Sequence, residues 1–248
     1  MHKVLILHAP GTNRDGDAAF AVSAAGGQPH ILPLALLRNQ KISWRDYSML
    51  VLPGGFSYGD ALGAGRLLAL DLDTWFNDQL REFAASGRPI IGICNGFQAL
   101  VKAGILPGNG ISATLTFNAS GKFECRQVWL TPNPSSPSPW LEDLSPILCP
   151  VAHGEGRFLL HEGLELCPQQ IALTYACADG RPAQGAYPYN PNGSPGDVAG
   201  ITNLEGNILG LMPHPEDHIY NYQHPHWSRG EMSGTGLGLF QNGLRMLK

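Results

Sequence analysis

A cysteine, a histidine and a glutamate are the residues of this sequence best placed to do covalent chemistry. Cys94 lies in Gly92-Ile93-Cys94-Asn95-Gly96, behind the apolar run 88–93 and ahead of a helix start at Asn95. G-x-C-x-G between a strand and a helix is the thiol form of the nucleophile elbow, a sharp turn that lifts a reactive side chain above the edge of a sheet. Glycines two residues to either side relieve the crowding that such a turn imposes. A thiol at a helix N-terminus meets unpaired backbone N–H groups and the positive end of the helix dipole, a setting that favours the thiolate. The N–H of Asn95 is placed to stabilise an oxyanion, and the natural source of a second donor is the Gly54-Gly55 turn. A lone cysteine in an apolar strand reads first as a buried structural thiol; the elbow pattern and a His/Glu pair downstream turn the reading toward a nucleophile.

A thiol nucleophile needs a base that takes its proton and later returns it to the leaving group. The segment Ile208-Leu209-Gly210-Leu211-Met212-Pro213-His214-Pro215-Glu216 is an apolar strand running into His-Pro-Glu. His214 at the strand end can act as that base. Glu216, two residues on, projects to the same side if the chain stays extended, and a carboxylate there holds the imidazole in one tautomer. His214 and His218 also have the i, i+4 spacing of a helical metal site. Pro213 and Pro215 oppose a helix at that point, so no metal is expected. His218, His224 and His226 are assigned to a loop.

These residues need a scaffold, and the rest of the chain describes one. Short apolar runs at 3–8, 30–33, 47–52 and 88–93 read as strands. They alternate with helical stretches at 15–25, 62–85 (in two parts) and 95–103. That alternation predicts an α/β fold, a doubly wound and mostly parallel sheet with helices on both faces. In such sheets ligands bind at the carboxyl ends of the strands, where Gly54-Gly55 and Cys94 both fall. The second half changes character. Residues 111–117 and 122–131 read as strands that could form an antiparallel pair. Residues 132–139, rich in proline and serine, read as an exposed loop. Further strands are expected at 158–161, 171–177, 198–203 and 207–211, with a turn at 204–207 and a C-terminal helix at 236–247. The whole of 1–248 is read as one domain.

Composition narrows the function. The 248 residues carry a net charge of −4 with no basic run, so nothing recommends nucleic acid as a partner. No apolar run is long enough to span a membrane, and the N-terminal apolar run is too short for a signal peptide. The five cysteines form no CxxC pair, which fits a reducing cytoplasm.

With these residues in hand, the chain resembles the class I (triad) glutamine amidotransferases, and more closely the glutaminase subunit of phosphoribosylformylglycinamidine synthase. The broad match rests on Pro53-Gly54-Gly55, the Cys94 elbow through Gln98, and Pro213-His214-Pro215-Glu216. The narrower one adds Pro10-Gly11-Thr12-Asn13, Gly55-Phe56-Ser57-Tyr58-Gly59-Asp60, Asn118 with Ser120-Gly121-Lys122-Phe123, Ala152-His153-Gly154-Glu155-Gly156-Arg157-Phe158, and Asn190-Pro191-Asn192-Gly193-Ser194. The resemblance implies that Cys94 forms a γ-glutamyl thioester and that His214 and Glu216 complete the triad. It implies an oxyanion hole at Gly55 and Asn95, and L-glutamine near Gly54, Phe56 and Gln98. His153, Glu155 and Arg157 then become candidates for the ammonia path or a partner interface. It further implies a larger synthetase subunit, often with a small third subunit, that takes the ammonia. That larger partner uses ATP and magnesium to convert formylglycinamide ribonucleotide to the amidine, leaving this chain without a cofactor. The sequence departs from the family where Gly63 replaces an arginine, where Asp217 follows Glu216, and in the long Pro/Ser loop. Two other readings share the elbow: a γ-glutamyl peptidase-like hydrolase, and a non-catalytic regulatory subunit. Neither predicts the Gly-Phe-Ser-Tyr-Gly-Asp and His-Gly-Glu-Gly-Arg segments together with an intact triad.

Overall fold

The computed structural model describes residues 1–39 and 42–247. The apolar run at the N-terminus is strand β1 (Lys3–His8), followed by helix α1 (Asp15–Ala24), strand β2 (Gln28–Pro33) and a short helix α2 (Leu34–Asn39). Strand β3 (Met49–Leu52) precedes two helices, α3 (Arg66–Trp75) and α4 (Asn77–Ala85). Strand β4 (Ile90–Ile93) runs directly into α5 (Asn95–Lys102). The second half contributes β5 (Ala113–Thr116), β6 (Glu124–Pro132), β7 (Ile147–His153), β8 (Arg157–Leu160), β9 (Ile171–Ala176), β10 (Val198–Thr202), β11 (Ile208–Leu211) and helix α6 (Leu237–Arg245).

Nine strands form one mixed sheet in the order β2-β1-β3-β4-β11-β10-β9-β6-β7. The first five of that order run parallel. The remaining four are added antiparallel. The parallel strands β1, β3, β4 and β11 are apolar and almost wholly buried, which requires cover on both faces. Helix α1 lies against α6, and α3 against α5. One contiguous apolar core runs through these layers.

Adjacency in the centre of the sheet positions the site. Strands β3, β4 and β11 are neighbours and all parallel, so their carboxyl ends emerge side by side. Those ends carry Gly54-Gly55, Cys94 and His214 respectively. Three segments far apart in sequence thus converge at one edge.

The structure differs from the sequence reading at five points. Residues 111–117 and 122–131 do not pair with each other: β5 pairs with β8 in a separate two-stranded sheet, while β6 lies between β7 and β9. The helix expected from residue 62 starts at Arg66, because Leu62, Gly63 and Gly65 all have left-handed φ that a helix cannot accept. Strand β7 was not expected, since Pro150 interrupts its apolar run; as an edge strand in the sheet order it tolerates a proline. Helix α2 was also unforeseen. The Pro/Ser segment divides into the end of β6, a loop and a 3-10 turn at Pro139–Leu141, whose Trp140 is fully buried.

Candidate active site

Cys94 follows β4 with φ 49° and ψ −103°, a conformation that non-glycine residues avoid. Its N–H donates to the Leu211 carbonyl of β11 at 2.8 Å, so the neighbouring strand helps to hold the turn. Gly96 shows why the elbow needs its glycines. A Cβ there would sit 2.0 Å from the Leu52 carbonyl oxygen, so any side chain would push α5 away from β3.

His214 follows β11, and its N–H donates to the Pro150 carbonyl of β7 at 2.8 Å. Its Nδ1 lies 2.8 Å from Oε1 of Glu216, and both side chains are buried. The expectation of an extended His-Pro-Glu segment fails: Pro215–Asp217 is a 3-10 turn with Pro215 at its first position. The turn still brings the carboxylate back onto the ring. Burial opposes a charged imidazole, but the Glu216 carboxylate and the adjacent Cys94 together outweigh it and hold the His214 pKa well above its usual value. Gly54 packs against the imidazole: a Cβ on Gly54 would be 2.5 Å from His214 Cε1 and 3.5 Å from Cys94 Cβ. Gly54 therefore makes room for the imidazole and does not form part of the cavity wall.

A small cavity of about 140 Å³ opens at Cys94. Gly55, Phe56, Gln98, His153 and Glu155 line it, as do Asp60, Phe117 and Phe123. Phe56 stacks on Phe123 at 6.3 Å between ring centroids, and both rings are exposed. Among the described residues no hydrogen bond occupies the backbone N–H of Gly55 or of Asn95. The Asn95 side chain is a clamp that the sequence did not reveal. Its Oδ1 accepts from the Ser57 N–H and hydroxyl, and its Nδ2 reaches Asp60 at 2.9 Å and Gln98 Oε1 at 3.1 Å. Gln98 in turn donates to the Glu155 carbonyl at 2.6 Å. The loop after β3, helix α5 and the β7–β8 turn are thereby locked together around the cavity.

His153 is buried, and burial, reinforced by His214 nearby, lowers its pKa to about 4. Its ring and its carbonyl are both tied to Asn118, which also accepts the Gly156 N–H. Asn192 braces the same turn through the Gly156 carbonyl and the Tyr175 hydroxyl. The asparagine-rich segments at 118 and 190–194 are thus supports for the β7–β8 turn. Arg157 is not brought to the cavity: its Nε donates to the Gly193 carbonyl.

Among the described residues, His214, Glu216 and Asp217 place ligand-type atoms within 4.8 Å of one another. Glu216 is already engaged with the imidazole, and Asp217 turns to Arg14 at 3.4 Å. His218 is not paired with His214 on a helix. Its Nδ1 meets the Leu148 carbonyl, and its ring lies beside His224.

A buried thiol on a strained elbow, beside a carboxylate-held imidazole and a small cavity, is equipped for acyl transfer through a thioester. The model of the CobB/CobQ-like glutamine amidotransferase domain matches residues 1–246. The chain is 51% identical over 239 residues to phosphoribosylformylglycinamidine synthase subunit PurQ of Treponema denticola, covering 88% of each chain. It is 41% identical to the PurQ subunit of Dehalococcoides mccartyi, covering 98% of this chain and 96% of that one. Among solved structures it is similar to a chain of PurLQS from Thermotoga maritima, with a TM-score of 0.77 and 30% identity over the full length of both chains. A glutamine amidotransferase from Thermotoga maritima shares the fold, with a TM-score of 0.57 at 15% identity, covering 100% of this chain and 98% of that one. The sequence, the sheet and the site agree, and the chain belongs to the CobB/CobQ-like glutamine amidotransferase family as a PurQ-type member.

Proposed function

We propose that this chain is the glutaminase subunit of phosphoribosylformylglycinamidine synthase in purine biosynthesis, and that Cys94, His214 and Glu216 carry its chemistry. The observation that carries the catalytic part is the His214–Glu216 pair at 2.8 Å, buried beside a thiol with left-handed φ at the top of β4. His214 takes the proton of the Cys94 thiol, and the sulfur attacks the γ-carbonyl carbon of L-glutamine. The oxyanion that forms is met by the N–H groups of Gly55 and Asn95. His214 donates its proton to the leaving nitrogen, ammonia departs, and a γ-glutamyl thioester remains. His214, now neutral, takes a proton from water as the water oxygen attacks the thioester; the C–S bond breaks, glutamate leaves, and His214 returns that proton to the Cys94 sulfur. Throughout, Glu216 holds the imidazole by Nδ1 and stabilises its charged form.

The ammonia has a defined consumer in this reading. Likeness to PurLQS supports assembly with a larger synthetase subunit together with a small third one. The synthetase, with ATP and magnesium, converts formylglycinamide ribonucleotide to the amidine. Among the described residues no helix is long and apolar enough to cross a membrane. The cytoplasm is the compartment that this substrate supply requires, and five free cysteines suit it.

The thioester is the test. Acid-quenched complex incubated with glutamine is digested and its peptides are weighed. The reading expects a γ-glutamyl adduct on the peptide containing Cys94 and none in Cys94→Ala. Turnover with an adduct on another cysteine would overturn the assignment.

A further inference from the structure

Asp217 is a second carboxylate beside the triad, and no step of the proposed chemistry uses it. One of its oxygens lies within 4.8 Å of a Glu216 oxygen and of a His214 ring nitrogen. Its side chain is 15% exposed. Glu216 has one oxygen to spare. Oε1 is engaged by His214 Nδ1, while Oε2 is buried without a hydrogen-bond partner among the described residues. Ionised Asp217 has no hydrogen to give, whereas protonated Asp217 has an O–H. A bond from that O–H to Oε2 would draw the Glu216 charge away from the imidazole it stabilises.

Which form prevails is decided by the groups that face Asp217. Burial and then Glu216 push its pKa up to about 6, and Asp17 adds to that, while His214 and Arg14 pull it down. From β7 the facing group is Cys149, a thiol that burial and these carboxylates hold in its neutral form. Helix α6 also packs on the turn, but its one charged residue, Arg245, bonds Asn242 instead. Arg14 is the permanent cation of this group. Its N–H donates to the Gly54 carbonyl at 3.3 Å, next to the imidazole that Gly54 packs against. Its Nη1 lies 3.1 Å from Asp17 Oδ2 and 3.4 Å from Asp217 Oδ1. One side chain thus ties the start of α1 to the His-Pro-Glu turn, 203 residues away.

We infer that Arg14 is a positioning residue of the triad, holding the Asp217 carboxylate turned to itself so that Glu216 serves His214 alone. The inference rests on the reading of Cys94, His214 and Glu216 as a glutaminase triad. It adds a residue from the opposite end of the chain that acts on the base only through two carboxylates. A carboxylate that must be ionised loses its effect as pH falls through its pKa. Removal of Arg14 raises that pKa, so the loss begins at higher pH.

The test measures glutamate release from L-glutamine at pH 8 and pH 6 by the complex with its synthetase subunit. It compares the unmutated chain with Arg14→Gln, Arg14→Lys, Asp217→Asn and the double variant Arg14→Gln/Asp217→Asn. The same synthetase serves every arm, so its own pH dependence cancels between them. The ratio of kcat at pH 6 to kcat at pH 8 is expected to be at least ~3-fold lower in Arg14→Gln than in the unmutated complex. Arg14→Lys keeps the charge and is expected to restore most of that ratio. Asp217→Asn offers Oε2 a permanent donor, so kcat at pH 8 is expected to fall about 10-fold. Adding Arg14→Gln to it is expected to leave the ratio where Asp217→Asn put it. If Arg14 served only the fold, its loss would lower kcat alike at both pH values, and that result would overturn the inference. A lowered ratio that Arg14→Gln still produces beside Asn at 217 would overturn it as well. Either result leaves the glutaminase reading standing. Absence of Cys94-dependent release at both pH values would remove that reading and this inference with it.

Discussion

His214 Nδ1 and Glu216 Oε1 stand 2.8 Å apart across Pro215, inside a 3-10 turn. The turn matters because it anchors the pair at both ends. The His214 N–H is held by Pro150 of β7, and Asp217 reaches Arg14 ahead of α1. The imidazole is thereby held in place by neighbouring parts of the fold, the preorganisation that the proposed role as base calls for.

Glu216→Gln tests the orienting carboxylate. The side chain keeps its size but loses its charge and can present the wrong group to Nδ1. Glutaminase kcat is expected to fall by about 10²- to 10⁴-fold, with a smaller change in KM. Burial, the largest influence on the His214 proton, would then be opposed by Cys94 without the carboxylate. The limb of the pH–rate profile that belongs to His214 should move to lower pH. An unchanged profile would place the base elsewhere.

Two glycine variants separate positioning from stability. Gly54→Ala puts a methyl group against one edge of the His214 ring, which must tilt to admit it. Activity is expected to drop at least ~10-fold with a loss of stability of about 1 kcal/mol or less. Gly96→Ala meets backbone, the Leu52 carbonyl, where nothing can swing aside. Its stability loss is expected at about 3 kcal/mol or more, visible in urea unfolding. Equal effects of the two on unfolding would contradict the geometry.

The buried imidazole of His153 makes stability depend on pH. Its folded pKa, about 4, lies below the unfolded value of 6.5. Between those values the unfolded chain binds the extra proton, so stability falls as pH drops from about 6.5 to about 4. The contribution is at most about 3 kcal/mol across that window. Urea unfolding at pH 7 and pH 5 should show His153→Gln losing less stability on acidification than the unmutated chain. A parallel loss in both would deny His153 its part.

The central frame was legible because its signals are local. The apolar runs of β1, β3, β4 and β11, and the glycines around Cys94, each specify their own conformation. That Cys94, His214 and Glu216 belong together was legible for the same reason: the elbow and the His-Pro-Glu segment are short and follow strands. What could not be read was pairing at a distance. Strands β5 and β6 are near in sequence, yet β5 is claimed by β8 and β6 by β7 and β9, a choice set by tertiary packing. Strand β7 was hidden by Pro150, and the start of α3 by left-handed residues in a stretch with helical composition. Within the site, the Asn95 clamp joins Ser57, Asp60 and Gln98, which no spacing rule connects. Gly54 and Arg157 show the converse: both lie in informative motifs, but one makes room for His214 and the other braces Gly193.

The most direct measurement is glutamate release from L-glutamine by the purified chain, with and without a phosphoribosylformylglycinamidine synthetase subunit plus its substrates, alongside Cys94→Ala. The account predicts strong stimulation by the partner, abolished in the variant. Release that persists in Cys94→Ala would contradict the assigned nucleophile, and release indifferent to a bound synthetase would contradict the coupling.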